Sequence, residues 1–141
     1  MIEIINRQKR HWINKEKFHS FMKKLIERFE LDDPEVNLTF VDDQEIHKLN
    51  QQYRNTDSPT DVLSFSMNEK GPDNKFYLGD IVISVPQAYK QSKGKKHSLE
   101  KELNLLTIHG FLHLLGYEHF KGIEKEEKRI MDLLKDEING N

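Results

Sequence analysis

The chain predicts a single α+β domain: a small mixed sheet of about four strands packed with helices, with a metal site on a buried helix. Three observations carry this. Some segments alternate apolar and polar residues, as half-buried strands do, while others repeat apolar residues at helical spacing. The two kinds follow one another as strand, helix, strand, helix, two strands and then helices. With 141 residues and neither a repeat nor a linker, residues 1–141 are expected to form one domain with its own core.

Ile2 to Ile5 predict a first short strand, followed by the basic residues Arg7, Lys9, Arg10 and His11. Asn14 is a good N-cap for a helix whose apolar face is Phe18, Phe21, Met22, Leu25, Ile26 and Phe29. Asp32-Asp33-Pro34 breaks it, and Val36, Leu38 and Phe40 then alternate as a strand. Asp42 or Asp43 caps a second helix carrying Ile46, Leu49 and Tyr53. Thr60 to Met67 and Leu78 to Val85 read as two strands joined by a loop over Asn68 to Lys75, which predicts a hairpin. Pro86 suits the first turn of a short helix reaching about Lys93. Ser98 caps the next helix, with Glu100 and Glu102 complementing its dipole. A last amphipathic helix is expected from Ile123 to Ile138, burying Ile130, Met131, Leu134 and Ile138.

A net charge of −2 exerts no overall attraction toward nucleic acid or anionic membrane, so any such contact must be local. The absence of cysteine excludes disulfides, thiolate catalysis and Cys-based zinc knuckles. No apolar run approaches membrane-spanning length and no signal-peptide core opens the chain, so a cytoplasmic protein with no membrane association is expected.

The most informative stretch runs from His109 to His119. His109 and His113 lie one turn apart on one helix face, Gly116 can end that helix, and His119 can swing back toward the pair. Three imidazoles without thiolates fit one zinc ion with an open coordination position, the pattern of a catalytic site. The spacing His-x-x-x-His-x-x-Gly-x-x-His is also that of metzincin peptidases. In those enzymes a glutamate follows the first histidine and acts as the base. Gly110 stands there in this chain, so that mechanism loses its key group. Glu118 adjoins the third histidine, but nothing in the sequence aims it at the open position.

A second cluster spans Tyr53 to Phe65. Arg54 reads either as a surface arginine meeting the helix dipole or as a guanidinium clamp for phosphate. Asp57 and Asp61 fit turn-capping roles beside Ser58 and Pro59.

Arg54, then Ser58-Pro59-Thr60-Asp61-Val62-Leu63-Ser64-Phe65, then Leu78-Gly79-Asp80-Ile81, then the histidine block together resemble the YbeY endoribonuclease and rRNA maturation family over nearly the whole chain. One departure is Glu118, where that family often has Asp; the carboxylate is kept. The resemblance implies a bacterial, cytoplasmic, single-strand-specific, zinc-dependent endoribonuclease acting in 16S rRNA 3′-end maturation and ribosome quality control. It implies His109, His113 and His119 as zinc ligands and Arg54 as a functional arginine, with His109 counted beside Arg54 in the catalytic set. Ribosomal RNA, the ribosome and ribosome-assembly proteins are the implied partners, and a monomer is expected. A zinc hydrolase of another class, such as a peptidase, and an assembly factor with a structural metal are the alternative readings.

Three further expectations concern charge. Lys90, Lys93, Lys95 and Lys96 form the densest basic run, read either as a solvated loop or as an RNA contact. Asp80 is compatible with orienting a ligating histidine or with capping a bulge at Gly79. His11, His19, His47 and His97 read as surface residues lacking partners.

Overall fold

Polar caps start three of the helices where the sequence places them. In the computed structural model, which describes residues 1–118 and 122–139, the elements are β1 (Ile2–Asn6), α1 (Lys15–Arg28), β2 (Glu35–Val41), α2 (Asp43–Arg54), β3 (Val62–Lys70), β4 (Phe76–Ser84), α3 (Val85–Lys95), α4 (Leu99–Leu114), α5 (Ile123–Leu133) and α6 (Lys135–Ile138). The Asn14 side chain accepts from Lys17 N at 3.2 Å, Asp42 from Glu45 N at 2.8 Å and Ser98 from Lys101 N at 3.1 Å. Each such bond satisfies one orphan amide of a first turn and stabilises by about 1 kcal/mol.

The four strands form one mixed sheet in the order β1-β2-β4-β3. β1, β2 and β4 run parallel, and β3 returns antiparallel at the edge as the expected hairpin partner of β4. Strand alternation then builds two apolar layers. Val36, Leu38, Phe40, Ile81 and Ile83 face α1 and α4 in the main core, while Leu63 and Val82 meet Ile46 of α2 on the other face. The small α+β domain predicted from the sequence is borne out. No described helix is long and apolar enough to cross a membrane.

Several expectations are corrected. The hairpin loop is shorter than Asn68 to Lys75, because β3 continues through Lys70 and β4 starts at Phe76. The turn needs few residues: Gly71 N donates to Lys75 O at 2.8 Å and Asn74 N to Gly71 O at 2.9 Å. The last helix is two, broken at Leu134, which lets Leu134 and Ile138 both reach the core. Asn104 Nδ2 holds the second piece by donating to Glu137 O at 3.3 Å and Ile138 O at 3.2 Å. Met131 is 38% exposed rather than buried, since the inward stripe runs through Ile123, Ile130 and Leu134.

Three of the four remaining histidines have partners. His97 Nε2 lies 2.7 Å from the buried Glu102 carboxylate, which Lys95 also reaches at 3.2 Å. His47 meets Asp57 at 2.7 Å, and the His11 ring packs on Tyr89. Asp80 takes neither role considered for it: its Oδ1 accepts from Asn37 Nδ2 at 2.8 Å across the strand pair.

Candidate functional site

α4 is buried along most of its circumference, and His109 and His113 occupy its half-buried strip. Their Nε2 atoms are 3.0 Å apart, with the two rings edge to face. Nδ1 of His109 faces the carboxylate of Glu127 on α5. A carboxylate accepts, so Nδ1 is the ring's donor toward Glu127 and its Nε2 edge is left facing His113. Two imidazole edges meeting in this way, without thiolates, fit a borderline cation such as zinc. His119 lies outside the described residues, and among those described no three acidic or imidazole groups form a complete ligand set.

The end of α4 is built for a sharp stop. Gly116 adopts φ +96°, with Gly116 N donating to His113 O at 3.0 Å and Tyr117 N to Leu112 O at 3.0 Å. This pair of bonds is a Schellman closure, which requires the left-handed residue that glycine supplies without strain. The expectation that Gly116 ends the helix holds.

Gly110 is explained by packing. A Cβ there would come 2.6 Å from Ile81 Cγ2 and 3.1 Å from Ser64 Oγ, so the helix sits directly on β3 and β4. A glutamate at this position has no room, and the absent base and the close helix–sheet contact have one cause. Strand β3 then ties the helix down through side chains. Ser64 Oγ donates to Gly110 O at 3.0 Å, Ser66 Oγ to His113 O at 3.5 Å and Asn68 Nδ2 to Leu114 O at 3.2 Å. Near its far end the strand pairing is irregular, with Ser66 opposite Gly79 but Glu69 opposite Tyr77.

Arg54 is the last residue of α2 and lines the same cleft as His109, His113, Ser64, Ser66 and Glu118. It does not stay at the helix dipole. Nη2 donates to Ser64 O at 2.6 Å and the guanidinium lies 5.2 Å from the centre of the Phe65 ring. No carboxylate among the described residues pairs with it, so its other N–H groups can meet an anion. Asp61 anchors the start of β3, accepting from Val62 N at 2.7 Å and from Gln91 Nε2 at 3.2 Å. That matches the turn-capping role read from the sequence for Asp61, whereas the Asp57 carboxylate meets the His47 ring of α2 instead.

The cleft thus joins Arg54, His109 and His113, residues drawn from two separate sequence clusters. Glu127 and Ser64 were not singled out from sequence. Glu127 had a detectable signal, because it falls on the apolar stripe between Ile123 and Ile130, where a carboxylate needs a partner. Ser64, Ser66 and Asn68 alternate as strand residues do, but nothing local marks a helix as their acceptor.

A half-buried imidazole pair opposite an arginine that no described acid engages defines a domain able to hold a cation and an anion side by side. Residues 3–140 match the family described as Endoribonuclease YbeY, and the chain belongs to that family. Among its relatives, the Endoribonuclease YbeY of Moorella thermoacetica is 56% identical over 93 residues, 60% of each chain. That of Oceanobacillus iheyensis is 51% identical over 104 residues, covering 68% of this chain and 66% of the relative. The alignments therefore span less than two thirds of these two relatives' lengths. The Aquifex aeolicus protein of the same name is 42% identical over 125 residues, covering 89% of this chain and 83% of its own. The solution structure of TM1509 from Thermotoga maritima matches with a TM-score of 0.64 at 32% identity, over 99% of this chain and 90% of that one.

Proposed function

We propose that this protein is a zinc-dependent endoribonuclease that cleaves single-stranded RNA in the cleft between α4 and β3. The observation that carries the reading is the pair of Nε2 atoms 3.0 Å apart in the cleft that Arg54 also lines. Family membership supplies the reaction class. His109, His113 and His119 would hold the zinc ion, which when bound acts as a Lewis acid toward phosphate and lowers the pKa of water.

The chain's own residues do the positioning. Glu127 fixes the tautomer of His109. Ser64 and Asn68 fix the helix that bears both histidines. Arg54, braced by Ser64 O and Phe65, holds a non-bridging phosphate oxygen and offsets the charge that builds on it as the bond breaks. Gly110 leaves no general base at the position used by metzincins, which favours phosphodiester over peptide chemistry. Glu118 lines the cleft within the same space.

The finer assignment is 16S rRNA 3′-end maturation and ribosome quality control by a cytoplasmic monomer, with the ribosome and its assembly proteins as partners. It is supported by the family resemblance in the Arg54 and histidine blocks. The test is cleavage of a single-stranded oligoribonucleotide by the intact chain, alongside a peptide substrate. Chelation and His113→Ala are each expected to abolish RNA cleavage while the fold persists, with no peptide cleaved. Full RNA cleavage after chelation would overturn zinc dependence, and peptide cleavage would restore the peptidase reading.

A further inference from the structure

We propose that the turn after β1 and the neighbouring face of α3 form a second contact surface for single-stranded RNA. This extends the RNA reading above and rests on it. The starting observation is Trp12, which is 85% exposed. An indole so far out in water is unusual, because its large apolar surface favours burial.

The segment presenting it is well organised. Gln8 is 7% exposed, and its side chain ties the turn from inside. Its Nε2 donates to Asn6 Oδ1 at 3.0 Å and to His11 O at 2.7 Å, while its Oε1 accepts from Arg10 N at 3.1 Å and His11 N at 3.0 Å. Beside Trp12, the His11 ring packs on Tyr89 with centroids 4.8 Å apart, and Lys93 Nζ lies 5.1 Å from the Tyr89 ring centre.

Charge selects the partner. Arg10 and Lys93 form no ion pair with a described residue, whereas Arg7 is taken by Glu45 at 2.9 Å and Lys95 by Glu102 at 3.2 Å. The basic run over Lys90 to Lys96 therefore divides, and Lys93 faces the aromatic group. Exposed rings that stack any base, set among cations that meet phosphates, are the combination that binds single strands without sequence preference. A duplex hides its base faces, so it offers the indole nothing to stack on. The surface takes in α3, whose Gln91 donates to Asp61 on the cleft's lining at 3.2 Å, so α3 connects the two.

Trp12 is the only tryptophan, so its emission reports on this surface alone. The intact chain is titrated with a short oligouridylate and with an RNA duplex. Emission is expected to fall by roughly half with the single strand, as base stacking on the indole requires, and to change little with the duplex. Arg10→Glu combined with Lys93→Glu should weaken binding about tenfold and lower the salt slope by roughly 1.4, the share of two phosphates. Trp12→Phe should bind nearly as tightly as the parent by fluorescence anisotropy, and Trp12→Ala several-fold more weakly. Unchanged emission with the single strand overturns the proposal, including the case where this surface serves a protein instead. Quenching that ignores salt and the double variant overturns it as well. Quenching that persists while no RNA is cleaved supports this surface and contradicts the catalytic reading, so the two failures are distinguishable.

Discussion

At Gly110 a single hydrogen atom decides how close α4 sits to the sheet. Gly110→Ala would place a methyl 2.6 Å from the fully buried Ile81. Overpacking of this kind costs about 1–3 kcal/mol, against roughly 1 kcal/mol regained in helix propensity. Thermal denaturation should show a net loss, and the helix should shift away from Ser64; an unchanged melting temperature would mean that the contact relaxes without cost. Glu127 is a positioning residue acting through His109. Glu127→Ala is expected to weaken zinc binding by about 10–100-fold, as loss of a histidine's outer partner typically does. Glu127→Gln, which keeps an accepting oxygen, should retain most of the affinity in a metal titration. Equal affinity in all three proteins would remove the orienting role. The histidine pair itself was legible in sequence because a spacing of four is a local property of a helix. Its partners on β3 and α5 were less so, because they are set by packing between distant segments.

The elements around the site differ in how they are held. β3 is an edge strand whose side chains bond the end of α4, so the strand and the histidine helix should shift together. α6 is tied to α1 by Lys24 Nζ on Glu137 at 2.6 Å. The Lys24 ammonium beside it, with help from backbone hydrogen bonding, holds the Glu137 carboxyl below the usual carboxylate range. A depressed acid contributes stability above its unfolded pKa and loses it as pH falls through the folded value. Glu137→Gln should therefore lower stability at neutral pH by about 0.5 kcal/mol, the scale of a partly exposed pair. The two melting curves should converge in acid; a gap that persists there would assign the effect to packing. Helix starts were legible because Asn14, Asp42 and Ser98 cap locally. The break at Leu134 was not, because it answers to Asn104 on another helix.

Over the whole molecule, the strand order β1-β2-β4-β3 creates the cleft by leaving β3 at the edge beside α4. Composition and periodicity indicated the fold class and the hairpin, but not the order, since parallel pairing of β1, β2 and β4 depends on contacts far apart in sequence. The same order brings Arg54 and the histidines together, although 55 positions separate Arg54 from His109 in the numbering. That meeting is the central claim, and Arg54→Ala tests it most directly. With zinc content measured alongside, the variant should keep its metal while cleavage of single-stranded RNA slows about 10²–10³-fold, the usual cost of losing one charge-stabilising donor. Cleavage at the parent rate with the metal in place would contradict the account.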